Sequence, residues 1–391
     1  MARRLRVLEL FDAYLNTSEN WAFHIIDNVP DADVVIATKH FLRCNFYRER
    51  FEYIEFPLRW VNSFNKKIGL RVTNKIVSEL LRLYPWYVEK TCGKCDVMHS
   101  HFAPVAWSYL KLAKRLGIPH IVSFYGYDYE SLPFRKPIWR QRYVQLFKDV
   151  DLILCEGSHG ASILERNGCP SEKIRIMQLG VKADHIPFWK RIKMSGELHL
   201  LQVAAFTEKK GHQYTIDAFL ETKRDCPNMT LTLVGNNKQF IKSSLQKYVN
   251  KSQFGDKIQF LDAIDFCHLH EFMKNYHVFI HPSCYGENRD CEGGAPIVFL
   301  DAQATGMPVI ATTHCDIPDE VIHEKTGLLS PEKDTQSLAA SIRRFYFMSQ
   351  VEYDGFSRKA RRHVEENYDV TKKGQELRNL YEGILKKKPG F

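Results

Sequence analysis

Short apolar runs recur along the chain. Between them lie polar stretches with helical spacing, punctuated by glycine, proline and asparagine. Arg6 to Phe11 reads as a strand, Asn20 to Val29 as a helix and Asp33 to Thr38 as the next strand. A helix over Asn74 to Leu83 and a strand over Val97 to Ser100 follow. Pro104 stands at a favourable first helical position and Gly117 closes that helix. Pro119 to Phe124, Leu152 to Cys155 and Ile174 to Met177 read as strands, the last two flanking a helix from Ser158 to Asn167. This is the βαβ rhythm of a parallel sheet covered by helices.

The rhythm restarts after Lys182 to Glu197, a polar stretch with Pro187 and several basic residues that reads as a linker. Strands are expected over His199 to Ala204, Thr230 to Val234, Ile258 to Phe260, Val278 to His281 and Val309 to Thr312. Helices are expected over Gly211 to Thr222 and from Pro296, and they dominate after Asp334. A chain of 391 residues exceeds what one core usually serves. The reading is therefore two Rossmann-like α/β domains, 1–186 and 187–370, with parallel sheets facing across a cleft. Ligands of such sheets bind beyond the C-terminal strand ends.

With 44% hydrophobic and 26% charged residues, the composition is that of a soluble globular protein. No apolar run approaches the roughly 18 residues of a membrane span. Met1 to Leu10 begins like a signal peptide, but Glu9 and Asp12 interrupt the apolar run and no small-residue cleavage site follows, so a cytoplasmic protein is expected. Cys92 and Cys95 form a CxxC with His99 and His101 close behind, which raises zinc. A second pair at metal-site spacing is missing, so Val97 to His101 reads as a buried strand and no metal is expected.

The net charge of +9 is uneven: residues 57–148 hold 16 basic and 5 acidic residues, interleaved with Trp60, Phe64, Phe134 and Trp139. Such a stretch suits peripheral association with an anionic membrane or a phosphate-bearing acceptor. No nucleic-acid motif accompanies it, so no nucleic-acid partner is expected.

The densest chemistry lies between Asp290 and Thr312. Glu292 precedes Gly293-Gly294, and Ala295, Pro296 and Ile297 lead into a helix whose free amides can hold an anionic diphosphate. Asp301, about a turn and a half into that helix, can accept hydrogen bonds from a ribose diol. Its neighbours Ile297, Val298 and Leu300 look buried, so its carboxylate needs a partner.

This segment resembles the donor motif of family-4 retaining glycosyltransferases, and its Glu-Gly-Gly-Ala-Pro form is similar to the colanic-acid and amylovoran branch. Ser18-Glu19, Val97 to Phe102, Leu179 to Val181 and Glu208 to His212 resemble other segments of that branch. The resemblance implies the GT-B fold, with the last helix, near Thr371 to Lys386, crossing back onto the first domain. It implies metal-independent hexosyl transfer from a UDP- or GDP-sugar to a glycan or lipid-linked acceptor in bacterial polysaccharide synthesis, with no other cofactor. By position it puts Glu292 on the donor sugar, Asp301 on the ribose, Lys210 on the diphosphate, Gly235 near the base and Asp128 near the acceptor. Two departures stand out: the family's arginine falls at Ala205, and the histidine of its His-Gly-x-Asp loop falls at Tyr125. Lys209 or Arg289 is the candidate second cation, and His101 the candidate group facing the sugar. A degenerate, non-catalytic partner subunit and a nucleotide-sugar epimerase of the same fold are the alternatives.

Overall fold

A computed structural model describes residues 4–15, 20–42, 50–55, 80, 82–236 and 240–387. The expected helix over Asn74 to Leu83, the Ser18-Glu19 segment, Trp60 and Phe64 lie wholly or largely outside the described residues.

Seven strands form a first parallel sheet: β1 (Leu5–Tyr14), β2 (Ala32–Phe41), β3 (Glu52–Glu55), β4 (Val97–His101), β5 (His120–Ser123), β6 (Leu152–Cys155) and β7 (Ile174–Ile176). Their order is β3-β2-β1-β4-β5-β6-β7. Six more form a second parallel sheet: β8 (Leu198–Val203), β9 (Met229–Val234), β10 (Ile258–Leu261), β11 (Val278–His281), β12 (Val309–Thr312) and β13 (Gly327–Ser330), ordered β10-β9-β8-β11-β12-β13. β4, β5, β6, β11 and β12 are buried along their whole length, as parallel strands covered on both faces are. β3, absent from the sequence reading, is an edge strand of sequence Glu-Tyr-Ile-Glu with only Ile54 buried.

Both sheets grow outward from their first strand and reverse direction once, between β1 and β4 and between β8 and β11. At such a reversal the two connections leave in opposite directions and open a crevice beyond the strand ends. The loops after these four strands therefore carry the candidate chemistry.

The stretch from Lys182 to Glu197 is exposed in part but anchored by two buried basic residues. Arg191 and Lys193 are buried and donate to backbone carbonyls: Arg191 reaches Tyr276, Met273 and Thr305, and Lys193 reaches Tyr346 and Met348. They satisfy carbonyl groups, several of them at helix ends, that the helices leave open. The final helix (Val370–Lys387) returns to the first sheet. Arg378 donates to the carbonyls of Pro30 and Asp31, and Tyr381 reaches Glu9 in β1 at 2.8 Å. The two chain crossings pair with each other, through Val181 N to Tyr368 O and Val370 N to Val181 O.

Candidate active site

In the second sheet the loop after β8 holds Glu208 to Lys210 in one tight turn, closed by Gly211 at φ 65°. A Cβ on Gly211 would run into the Pro282 carbonyl oxygen, so a side chain there would force the turn away from the loop after β11. This seating brings the Lys210 ammonium to Glu292 Oε2 at 2.7 Å. Ser283 Oγ donates to Glu292 Oε1 at 3.0 Å. The Glu292 amide donates to His314 Nε2 at 3.2 Å, and His314 Nδ1 meets Glu332 Oε1 at 2.7 Å. Burial works against the Glu292 charge, yet Lys210 and then Lys209 hold its carboxyl well below the usual range. It is therefore an ionised acceptor over the physiological range. Burial lowers Lys210 despite the Glu292 carboxylate. Burial also opposes the Lys209 charge, but Glu292 and Asp290 raise it. Lys209 donates to the Cys291 carbonyl at 2.8 Å and to Asp290 at 3.1 Å, which places a second ammonium group at this end of the loop. Arg289 instead lies over the Phe134 ring at 5.3 Å.

The helix after the Gly-Gly turn starts at Val298, two residues later than Pro296, so Asp301 sits in its first turn rather than a turn and a half along. The proline disfavours helical backbone at Ala295, so the helix cannot extend back into the Gly-Gly turn. Asp301 is buried, and the partner its burial demands is His270, whose Nε2 lies 2.8 Å from Oδ1. His270 stands on the helix Phe266–Met273 and was not among the expected residues. His24, from the other half of the chain, faces the same corner: burial lowers its pKa and Asp301 opposes that. Gly235 follows β9 so close to Ala204 that a Cβ would strike its carbonyl oxygen.

The opposite wall is built on β1, β4 and β5. Glu9, His99 and His101 are all buried. His101 Nε2 lies 2.9 Å from Glu9 Oε2, and its Nδ1 lies 2.8 Å from the Tyr125 hydroxyl. Burial resists the Glu9 charge, but the two histidines hold its carboxyl well below the usual range, so His101 Nε2–H donates and Nδ1 accepts from Tyr125. Burial, and then His99, lowers His101 to about 4, so it is neutral at physiological pH. Both of its nitrogens are committed to protein groups. His99 is held similarly, by Tyr381 at 2.7 Å and Ser123 at 2.8 Å. One atom from each of Glu9, His99 and His101 falls within 4.8 Å of the others, a spacing that suits a metal ion, whereas Cys92 and Cys95 lie elsewhere, near Arg6.

Asp128 does not open onto the cleft. It is fully buried, and its oxygens accept from the amides of Ala103 at 3.0 Å and Tyr125 at 2.9 Å. It therefore buckles the Tyr125 loop to the helix Ala103–Leu116.

The two walls meet directly. A Cβ on Gly126 would lie 2.5 Å from Gly293 Cα, and one on Gly294 would lie 2.6 Å from the Glu156 carboxyl carbon. Beside this seam the His159 amide donates to Asp316 at 2.7 Å, and the Tyr285 hydroxyl donates to Glu130 at 2.7 Å. The arrangement joins a carboxylate, two ammonium groups and a glycine turn on one wall to a neutral histidine–tyrosine pair on the other.

The profile of the family "Glycosyl transferases group 1" matches residues 187–363, and that of "Glycosyltransferase Family 4" matches residues 33–185. The chain is similar to WcaL of Salmonella typhimurium, a glycosyltransferase assigned to colanic acid biosynthesis. The two are 30% identical over 74% of this chain and 71% of that one. It is 27% identical to AmsK of Erwinia amylovora, an amylovoran biosynthesis glycosyltransferase, over 66% of this chain and 62% of that one. The crystal structure of Anabaena HepE in complex with UDP and glucose superposes with a TM-score of 0.77, covering 97% of this chain and 100% of that one at 14% identity. The two facing sheets are the GT-B arrangement.

Proposed function

The chain belongs to the glycosyltransferases of group 1, with a family 4 N-terminal part, and from that premise we propose that it transfers a hexose from a UDP- or GDP-sugar to a glycan or lipid-linked acceptor in bacterial polysaccharide synthesis. The observation that carries this reading is the Lys210–Glu292 pair at 2.7 Å beside the Gly293-Gly294 turn. An incoming diphosphate draws Lys210 away from Glu292 and takes its charge, with Lys209 behind it. Glu292 is then free to accept hydrogen bonds from the donor sugar's hydroxyls. As the bond from sugar to diphosphate breaks, the negative charge grows where the two lysines already stand, which is where fixed charges lower a barrier most. Asp301, held by His270, takes the ribose hydroxyls. Retention of anomeric configuration and independence from a metal ion complete the proposal, and both come from the likeness to the family.

A thermal-shift screen with UDP, GDP, ADP and dTDP in EDTA tests this. The expected result is stabilisation by one of them of about 2.7 kcal/mol at a hundred times its Kd. The absence of a shift with all four, in EDTA and again with magnesium or manganese, removes the reading.

The acceptor side extends the proposal to an anionic membrane surface, at the inner face of the cytoplasmic membrane. Ile138 and Val144 are exposed among Arg135, Lys136, Arg140 and Lys148. Among the described residues no helix is long and apolar enough to cross a membrane. Binding to vesicles containing anionic lipid is expected at low salt and is lost as salt rises. Binding that is insensitive to salt, or absent throughout, contradicts it.

A further inference from the structure

Glu156 follows β6 directly, in the first half of the chain, and is half-buried. Nothing in the catalytic account above uses it. Its carboxyl group lies on the Gly-Gly turn of the opposite half: a Cβ on Gly294 would stand 2.6 Å from both its carboxyl carbon and its Oε2. The Gly294 amide donates to it. That amide is one of those expected to hold the donor's diphosphate. The next residue is seated as tightly, since a Cβ on Gly157 would collide with the Asp316 carboxyl group. Asp316 in turn accepts from the His159 amide at 2.7 Å. The cavity beside Glu156 holds about 20 Å³, room for about one water, which leaves little solvent for the group. An internal carboxylate and an incoming diphosphate therefore compete for the same turn.

We infer that Glu156 is a proton-dependent gate on the donor site: ionised, it holds the Gly294 amide and repels the diphosphate, and protonated, it yields the turn. The inference rests on the donor reading of the Lys210–Glu292 wall. Burial, with the Asp316 and Glu292 carboxylates nearby, pushes Glu156 up to about 8, against the Gly294 amide and Lys209. Asp316, itself raised by burial to about 6, and Glu292 are both ionised above pH 7. Glu320 of the second half and Tyr125, Tyr129 and Cys155 of the first also lie near Glu156, and burial raises all four. A diphosphate brought to the turn adds negative charge and favours the protonated form further. Binding therefore takes up a proton, and it weakens as pH rises through about 8.

The test is isothermal titration of the full chain in EDTA, from pH 7 to pH 9, with whichever of UDP, GDP, ADP and dTDP gives the largest thermal shift. Across this range the wild-type Kd is expected to rise about tenfold more than that of Glu156→Gln, since each pH unit above the midpoint is a power of ten. At pH 9 Glu156→Gln is thus expected to bind about tenfold more tightly than wild type, a gain that a merely structural role for Glu156 would not produce. Lys210, which burial lowers, is present in both proteins, so its titration cancels in the comparison. Asp316→Asn removes one of the charges that raise Glu156 and is expected to move the midpoint to lower pH. The inference is overturned if Glu156→Gln keeps the wild-type pH dependence, if it binds no more tightly than wild type at pH 9, or if the Asp316→Asn midpoint stays at that of wild type. Should Glu156→Gln not fold, Glu156→Ala is read in the same way. A wild-type chain that binds the nucleotide equally from pH 7 to pH 9 loses this inference alone. One that binds no nucleotide at any pH loses the donor reading beneath it.

Discussion

Glu292→Gln and Lys210→Ala are each expected to lower kcat by two or more powers of ten while the chain stays folded. The two side chains form one unit. Lys210 keeps Glu292 ionised against its burial, and Glu292 keeps a desolvated ammonium charged where a diphosphate arrives. Removing the lysine takes away charge stabilisation that matters most as the leaving group departs, an effect on the scale of losing an oxyanion-hole donor, about 3 kcal/mol. Removing the carboxylate charge loses the acceptor for the sugar's hydroxyls. The double variant is expected to fall little further than the worse single, because residues that act together are not additive. The check is nucleoside diphosphate release with the wild-type melting temperature as control. Near-wild-type turnover in either single variant would refute the assignment.

The second large effect comes from a methyl group. Gly293→Ala is expected to reduce kcat about a hundredfold or more with both halves folded. Gly293 has φ 87°, which an alanine adopts only with strain, and its added Cβ would collide with the backbone N and Cα of Gly126. Backbone cannot rotate away as a flexible side chain can, so the two halves must part at the seam between Glu292 and Tyr125. A displacement of about 1 Å at a reacting centre costs about 10² in rate. Gly126→Ala makes the same collision from the other side, 2.5 Å from Gly293 Cα, and should give the same loss. Gly168→Ala is the control: φ is 90°, but nothing lies within 4 Å of its Cβ, so it costs about 1 kcal/mol of stability and leaves kcat alone. Equal activity in Gly293→Ala and wild type would mean that this contact is not part of the working state.

Where local sequence decided local structure, the reading was close. Val278 to His281 and Val309 to Thr312 are each three apolar residues closed by one polar residue, and both strands have those bounds. Gly117 does end its helix, at φ 67°. The misses have a common cause, which is that long-range partners decide them. β3 has polar residues at both ends, and its pairing with β2 makes it a strand. Lys182 to Glu197 reads as a polar linker, yet helix-end carbonyls elsewhere in the chain recruit Arg191 and Lys193. Glu9 was read as a charge interrupting an apolar run. It is buried because His99, His101 and Tyr381, up to 372 residues away, surround it. Asp301 needed a partner on sequence grounds, but nothing local named His270. The Asp128 position was legible as a motif while its two amide bonds were not. Local pattern thus carried the order of strands and helices and the Glu292 loop, and tertiary contact supplied the second half of nearly every polar pair.

The most direct test of the central account is a crystal structure with the nucleoside diphosphate that gives the largest thermal shift. The account predicts the diphosphate within hydrogen-bond reach of Lys210 and of backbone amides between Gly293 and Val298, the ribose on Asp301, and Glu292 released from Lys210. A nucleotide bound elsewhere, or one whose phosphates leave the Lys210–Glu292 pair intact, would contradict it.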